Sequence, residues 1–497
     1  MINVRKKDEA HLVIESEDSG ILRELSEYFT FFVEGYKFMP AYRNKMWDGK
    51  LRLFDMRSQQ IPFGLLGKVD EFARARKYKT TIDPTIKPTL SATDEELDEF
   101  IGSLSLSLSG KKIEARDYQI DAFKKATKSQ RAILVSPTGS GKSLIIYMLA
   151  RYFLSKDMDK KVLIVVPTTS LVEQMTKDFA DYSGCDDEFD VDEDVHKIYS
   201  GKEKHNIESS IVITTWQSAI KLPLDWFRSY GMIIGDEAHT FKAKSLTTIM
   251  NRLNQAYFRI GTTGTLDGGV VNELVLEGSF GPTYQVTTTK TLIDSNTLAD
   301  LTIEALVLKY SDEVRKLMSR AKYQDEINFI VLNESRNKFI TNLTLDQSGN
   351  TLVLYNLVNK HGKVLYNMIS KKAKGRSVFF VSGEVNAEER ERIRELTEKE
   401  TGAIIVASVG TFSTGINVKN LHNIVFAAPT KSQIRVLQSI GRGLRKSDSG
   451  QETIVYDLAD DLCWKKHKNY THNHAINRIK IYAKEGFTYN IHQVDMP

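Results

Sequence analysis

Short apolar runs recur along this chain, separated by longer mixed stretches. Between about 91 and 285, strand-like runs at 132–135, 162–166, 211–214 and 232–234 alternate with helical ones such as 144–150. Such alternation predicts an α/β domain with a parallel sheet. A second alternation starts at Thr351, with runs at 352–355, 378–381, 403–406 and 423–426, and predicts a second sheet of the same class. A small mixed region, 1–90, precedes the first and ends in a turn-like stretch holding Pro84 and Pro88. Residues 286–350 read as a connecting segment with a charged helical insertion. The expected division is therefore 1–90, 91–285, 286–350, 351–460 and a basic helical extension, 461–497.

One strand-to-helix junction carries chemistry. Ser136-Pro137-Thr138-Gly139-Ser140-Gly141-Lys142-Ser143 follows the first strand and opens the helical run. Strand, Gly-rich loop, Gly-Lys-Ser and helix are the context of a phosphate-binding loop, with Ser136 standing where the strict pattern has Gly. Glycines let backbone N–H groups turn toward a phosphate, and the helix N-terminus adds a favourable dipole. Lys142 then reaches the β/γ-phosphates of a nucleotide, and the Ser143 hydroxyl holds Mg²⁺. The apolar run 232–234 leads through Gly235 to Asp236-Glu237-Ala238-His239. Two acids at a strand end suit ATP hydrolysis: Asp236 for Mg²⁺, Glu237 to orient the attacking water. His239 is equally suited to bridging this acid cluster to the next motif.

Composition narrows the class. At 497 residues and 41% hydrophobic, the chain fills about three domains on the usual prior. No apolar run approaches the roughly 20 residues of a membrane span, and the N-terminus has no long apolar region, so neither anchor nor secretory signal is expected. Cys185 and Cys463 are the only cysteines, which excludes a disulfide framework and suits a reducing compartment. Net charge is +4, so any attraction to nucleic acid must come from local patches.

Further motifs stand in a familiar order. Arg116-Asp117-Tyr118-Gln119 precedes the phosphate loop; Pro167-Thr168-Thr169-Ser170-Leu171, Ile213-Thr214-Thr215-Trp216-Gln217 and Thr263-Gly264-Thr265 follow it. The second alternation carries Gly410-Thr411-Phe412-Ser413-Thr414-Gly415-Ile416-Asn417 and Gln438-Ser439-Ile440-Gly441-Arg442-Gly443-Leu444-Arg445. Over about 110–460 the set resembles helicase superfamily 2 of the Asp-Glu-Ala-His type. The middle Gly264 departs mildly from that family's Ser/Thr-Ala-Thr. The whole chain is most similar to the recombination helicases of T4-type phages.

The resemblance implies two RecA-like parallel-sheet lobes in tandem after a small α+β N-terminal domain. It also implies ATP and Mg²⁺ as cofactors. Arg116 and Gln119 would read adenine, Pro137 to Ser143 would cradle phosphates, and Gly415 would belong to the motif linking nucleotide state to strand grip. Gln438, Arg442 and Arg445 would complete catalysis; the two arginines fall on one helix face and suit the charge of a transferring phosphoryl group. Thr169, Thr214, Thr215, Thr411 and Thr414 are expected phosphate-backbone donors, since hydroxyls position nucleic acid without reading its sequence.

The implied activity is an ATP-driven DNA helicase acting on single-stranded and branched duplex DNA: forks, D-loops, R-loops with their RNA–DNA hybrid, and Holliday junctions. Polarity would be 3′→5′, the motor a monomer, and the compartment the host cytoplasm. An RNA helicase or RNA-dependent ATPase, and an annealing clamp switched by ATP, are the alternatives. The motor motifs alone do not separate DNA from RNA.

Two charged stretches lie outside the motor. Asn44 to Phe54 reads as a β-hairpin turning at Asp48-Gly49, with Trp47 opposite Lys50 and Lys45 opposite Arg52. Residues 37–79 hold eleven Lys/Arg against four Asp/Glu, a net of +7. Lys45, Trp47, Lys50 and Arg52 are therefore expected DNA contacts, with Trp47 or Phe54 able to stack on a base. Cys463, His467, His472 and His474 lack the spacing of a structural zinc site. Trp464, Lys465, Lys466, Lys468, Arg478 and Lys480 suggest a basic helix packed on the second lobe, either solvated or touching nucleic acid.

Overall fold

Buried apolar strands build the two sheets that dominate the structure, a computed structural model describing residues 1–157, 159–199, 207–241, 243–266, 269–415, 420–428, 441 and 452–497. The chain divides into two compact units: 1–136 with 141–286, and 287–497 with 137–140. The first unit's large sheet has seven parallel strands in the spatial order Val195–Ile198, Ile211–Thr215, Lys161–Val166, Tyr230–Gly235, Phe258–Thr263, Arg131–Val135 and Thr283–Gln285. Alternate residues point to opposite faces of each strand. Leu134, Ile164, Ile234 and Ile260 thus join one core, and Ile133, Leu163, Val165 and Ile233 the other. Parallel direction brings the ends that carry the phosphate loop and the acids to one edge of the sheet, where ligands of such sheets bind.

The second unit repeats the architecture with strands Val378–Val381, Ile404–Ser408, Thr351–Tyr355, Asn423–Phe426, Thr453–Asp461, Leu301–Lys309 and Thr488–Asp495, all parallel. Both expected RecA-like lobes are present, but their borders move. Leu301–Lys309 comes from the segment expected to be a connector, and Thr488–Asp495 from the expected helical extension. The helix Tyr470–Glu485 is real, yet Arg478 is buried: its Nε and Nη2 donate to Asp457 at 2.7 to 3.0 Å. That cation belongs to the core and not to a solvated face.

His361 gives this unit an acid-sensitive point. It is buried in the π-turn Val358–Gly362, with neither ring nitrogen hydrogen-bonded among the described residues. Burial, helped by the charge of Arg336, pushes it down to about 3. The unfolded chain therefore takes up a proton near pH 6.5 that the folded one refuses. Stability is full above pH 6.5 and falls as pH drops toward 3, by about 1.4 kcal/mol per pH unit. Denaturant unfolding of His361→Phe between pH 6 and 4 should show a slope shallower by that amount. Equal slopes would mean that His361 takes up its proton in the folded state too.

The N-terminal domain is α+β, as expected. Its sheet orders Gln60–Pro62, His11–Glu15, Ile2–Lys6 and Thr80–Ile82, and the helices Ser19–Tyr28 and Leu66–Ala75 share its core through Leu25, Val69 and Phe72. It packs directly on the first lobe. Glu9 pairs with Arg131 at 2.6 Å, and that guanidinium lies 3.8 Å from the Phe63 ring centre.

The expected hairpin is absent. Pro40 opens a short helix, Pro40–Arg43, and Lys50–Arg52 pairs antiparallel with Thr30–Phe32 instead. Proline suits the first helical turn because its missing N–H would be unpaired there anyway. Phe54, expected on the DNA face, is buried in the domain core.

Candidate active site

The phosphate loop owes its path to two glycines. Gly139 and Gly141 have φ of +85° and +78°, values that L side chains rarely adopt. A Cβ on Gly141 would also sit 2.4 Å from Gln119 Nε2. Ser136 N–H donates to Thr263 O at 2.8 Å and Ser140 Oγ to Pro137 O at 2.7 Å, holding the loop. The helix Lys142–Lys156 then begins at Lys142, its first-turn N–H groups directed at the loop. Gln119 accepts from Arg116 N–H at 2.9 Å and donates to Gly141 O at 3.4 Å, so the Arg116–Gln119 motif lies against this loop.

Lys142 gathers the acids. Its Nζ lies 2.6 Å from Glu237 Oε1 and 3.8 Å from Asp236 Oδ1. Asp236 is buried, which pushes its carboxyl up; Lys142 pulls it back, and Glu237 pushes it further up. Thr262 Oγ1 donates to Asp236 Oδ1 at 2.7 Å. His239 Nδ1 lies 2.5 Å from Thr263 Oγ1 and 3.5 Å from Glu237 Oε2, so it does bridge the acids to the next motif. Glu237 has φ +47°, a strained value for a residue with a side chain and one that recurs at functional sites. Ser143 Oγ meets Tyr182 OH at 2.8 Å. Neither Thr262 nor Tyr182 stands out in sequence: Thr262 lies in the strand FRIGTT beside Arg259 and Thr263, with no pattern that marks it.

The threonines divide. Thr169 is exposed at the start of the helix Thr169–Tyr182 and remains available to a strand. Thr214 is buried with its hydroxyl donating to Ile198 O at 2.9 Å, and Thr215 caps Trp216–Ala219. Thr411 is buried against Ser408, its hydroxyl 2.6 Å away. The Thr214 and Thr215 hydroxyls donate within the fold, whereas that of Thr411 accepts from Ser408. Thr414 and Gly415 lie in the helix Val409–Gly415. Gln438, Arg442 and Arg445 lie outside the described residues.

Asp461, Cys463 and His472 bring ligand atoms within 4.8 Å of one another, a set that shares only Cys463 and His472 with the four residues whose spacing lacks a zinc pattern. Cys463 Sγ contacts Asn469 Oδ1 at 3.3 Å, and burial pushes the thiol up to about 11. A neutral thiol here helps seat the helix start.

Over 511 aligned positions covering all of both chains, the sequence is 37% identical to the ATP-dependent DNA helicase uvsW of Enterobacteria phage T4. The chain belongs to the UvsW family of helicases. Residues 1–83 match the family model DNA helicase UvsW, N-terminal; 112–268 match the type III restriction enzyme res subunit, and 335–447 the helicase conserved C-terminal domain. The crystal structure of T4 UvsW superposes with a TM-score of 0.54 over 99% of each chain, at 37% identity. A more distant relative, the DNA 3′-5′ translocase XPB2 of Sulfurisphaera tokodaii, is 24% identical over 73% of this chain and 85% of its own. Among the described residues no helix is long and apolar enough to cross a membrane.

Within this UvsW-family chain, the N-terminal cations expected to touch DNA are not equivalent. Arg52 is held by Asp48 at 2.5 Å, a contact that keeps the Asp48 carboxyl at about 2. Trp47 is half-buried and donates from Nε1 to Lys50 O at 2.9 Å. Lys45 is exposed, and Lys50 Nζ lies 5.0 Å from the Phe32 ring centre.

Proposed function

We propose that this ATP-dependent DNA helicase remodels branched DNA — forks, D-loops, R-loops and Holliday junctions — in recombination, repair and recombination-dependent replication. It translocates 3′→5′ as a monomer in the host cytoplasm. The observation that carries this reading is the Lys142–Glu237–Asp236 cluster at the mouth of a phosphate loop, in a chain aligned end to end with a DNA helicase. Lys142 binds the β/γ-phosphates and Glu237 orients the attacking water. Arg442, Arg445 and Gln438 complete the hydrolytic set, and Arg116 and Gln119 hold the base.

Ser143 and Asp236 would hold Mg²⁺. Thr262 and Lys142 both approach Asp236 Oδ1, and the oxygen donors suit a hard divalent cation. Bound Mg²⁺ would neutralise charge developing on the phosphate oxygens.

ATPase stimulation by single-stranded, duplex, forked and junction DNA, with matching RNAs, tests the assignment. Branched DNA should stimulate most. Equal stimulation by RNA would favour an RNA helicase, and stimulation without strand displacement an annealing clamp.

Residues 1–90 act as an accessory DNA-binding domain through Lys45 and Lys50. Replacing both with Ala should weaken DNA binding and flatten its salt dependence by up to about two units of slope, one per lost phosphate contact. Arg52→Ala should add less, because Asp48 already neutralises that charge. Unchanged affinity and slope would leave the domain a structural role.

A further inference from the structure

We infer that the exposed aromatic patch of the N-terminal domain is a stacking platform for unpaired bases at a DNA branch point. The inference rests on the reading of residues 1–90 as a DNA-binding domain. Phe32, Phe38 and Met46 are 53%, 76% and 79% exposed within fifteen residues of one another in sequence. Scattered exposed apolar side chains need no explanation; an organised group does.

This group is organised. Phe32 stacks on Tyr36 with ring centres 4.8 Å apart and planes 25° from parallel, and Tyr36 meets Tyr42 edge-on at 4.8 Å. Tyr36 lies so close over Gly49, itself at φ +79°, that a Cβ there would fall 2.3 Å from Tyr36 Cδ2. Tyr42 also lines a shallow groove with Lys37, Arg43, Lys45, Met46, Trp47 and Asp48, the last of these paired with Arg52. Phe32, Tyr36 and Tyr42 are therefore held at the surface by packing on one another and on Gly49, with Phe38 exposed two residues beyond Tyr36.

The rim selects the occupant. Lys37, Arg43 and Lys45 line the groove with Tyr42 and Lys50 lies beside Phe32, while the acids of this stretch are Glu34 and the Arg52-paired Asp48. Lys50 and Lys37 already lie 5.0 and 5.8 Å from the ring centres of Phe32 and Tyr36. Aromatic faces within a cationic rim suit a polyanion that itself carries π-faces, which is single-stranded nucleic acid. Intact duplex keeps its base faces stacked internally. The platform can act only where bases are unpaired, at a fork or junction.

The full chain can be tested with forked DNA carrying 2-aminopurine at the unpaired base next to the branch, and with blunt duplex of the same sequence. Phe32→Ala, and Phe38→Ala with Met46→Ala, change exposed side chains and should fold normally by circular dichroism. Fork affinity should fall about tenfold, an ordinary loss for one base–aromatic stack, with blunt-duplex affinity within about twofold. The 2-aminopurine response should disappear. Parent-like fork affinity and fluorescence, or equal losses on both DNAs, would overturn the platform. Lys45→Ala with Lys50→Ala, run alongside, separates the two readings. If those lysines matter and the aromatics do not, only the platform fails; if neither matters, the DNA-binding domain fails with it.

Discussion

Lys142→Ala should reduce ATP turnover to below about 1% of the parent and abolish unwinding, while DNA binding without nucleotide stays within about twofold. Removing one preorganised charge donor from a water-poor site ordinarily costs a factor of about 100 to 1,000. Lys142 should reach the upper end because its Nζ bridges both acids, at 2.6 Å and 3.8 Å. Without that ammonium, burial and Glu237 raise the Asp236 carboxyl further, weakening it as a metal ligand. The loss should therefore appear in metal-dependent nucleotide binding as well as in turnover. Steady-state ATPase, nucleotide titration and fork binding of the one variant check all three parts. Parent-like turnover would remove Lys142 from the mechanism, and lost DNA binding would mean that it shapes the strand path too.

The parts of this site that could be read in sequence are those whose chemistry is written in consecutive residues. The eight-residue loop needs its glycines at fixed offsets from Lys142, and the two acids need only a strand before them. What fastens these parts together comes from strand pairing. Thr262 meets Asp236 because Phe258–Thr263 lies between the acid-bearing and loop-bearing strands, an adjacency set by sheet order. Tyr182 reaches Ser143 from the far end of another helix.

The same reason accounts for the errors. The pattern LTIEALVLK of Leu301–Lys309 is strand-like, but its partners Thr453–Asp461 and Thr488–Asp495 lie about 150 and 186 residues away. Asp48-Gly49 is a two-residue turn signal. Pairing of Lys50–Arg52 with Thr30–Phe32 overrides it, and with it the pairing of Lys45 with Arg52 and the surface position of Phe54. Counting charges likewise could not show that Arg52 and Arg478 have carboxylate partners.

Glu237→Gln should bind ATP at least as tightly as the parent while hydrolysing it about 100 to 10,000 times more slowly, the range expected when a positioned base is lost. The ion pair supplies the reason for tighter binding. With Lys142 Nζ held by Glu237 Oε1 at 2.6 Å, an arriving phosphate must compete for the same ammonium. Gln keeps the size of the side chain and removes the competing charge, so ATP affinity should rise about fivefold, a modest ion pair's worth. Asp236→Asn should do the opposite, weakening nucleotide binding through the metal. In Glu237→Gln the strained φ of +47° and the contact with His239 act on an uncharged side chain, so the site keeps its shape and loses its base. Equilibrium binding of ATP beside single-turnover hydrolysis separates the two effects. A Glu237→Gln chain that fails to bind ATP would exchange the roles given to Asp236 and Glu237. One that hydrolyses at the parent rate would move the water-orienting group elsewhere.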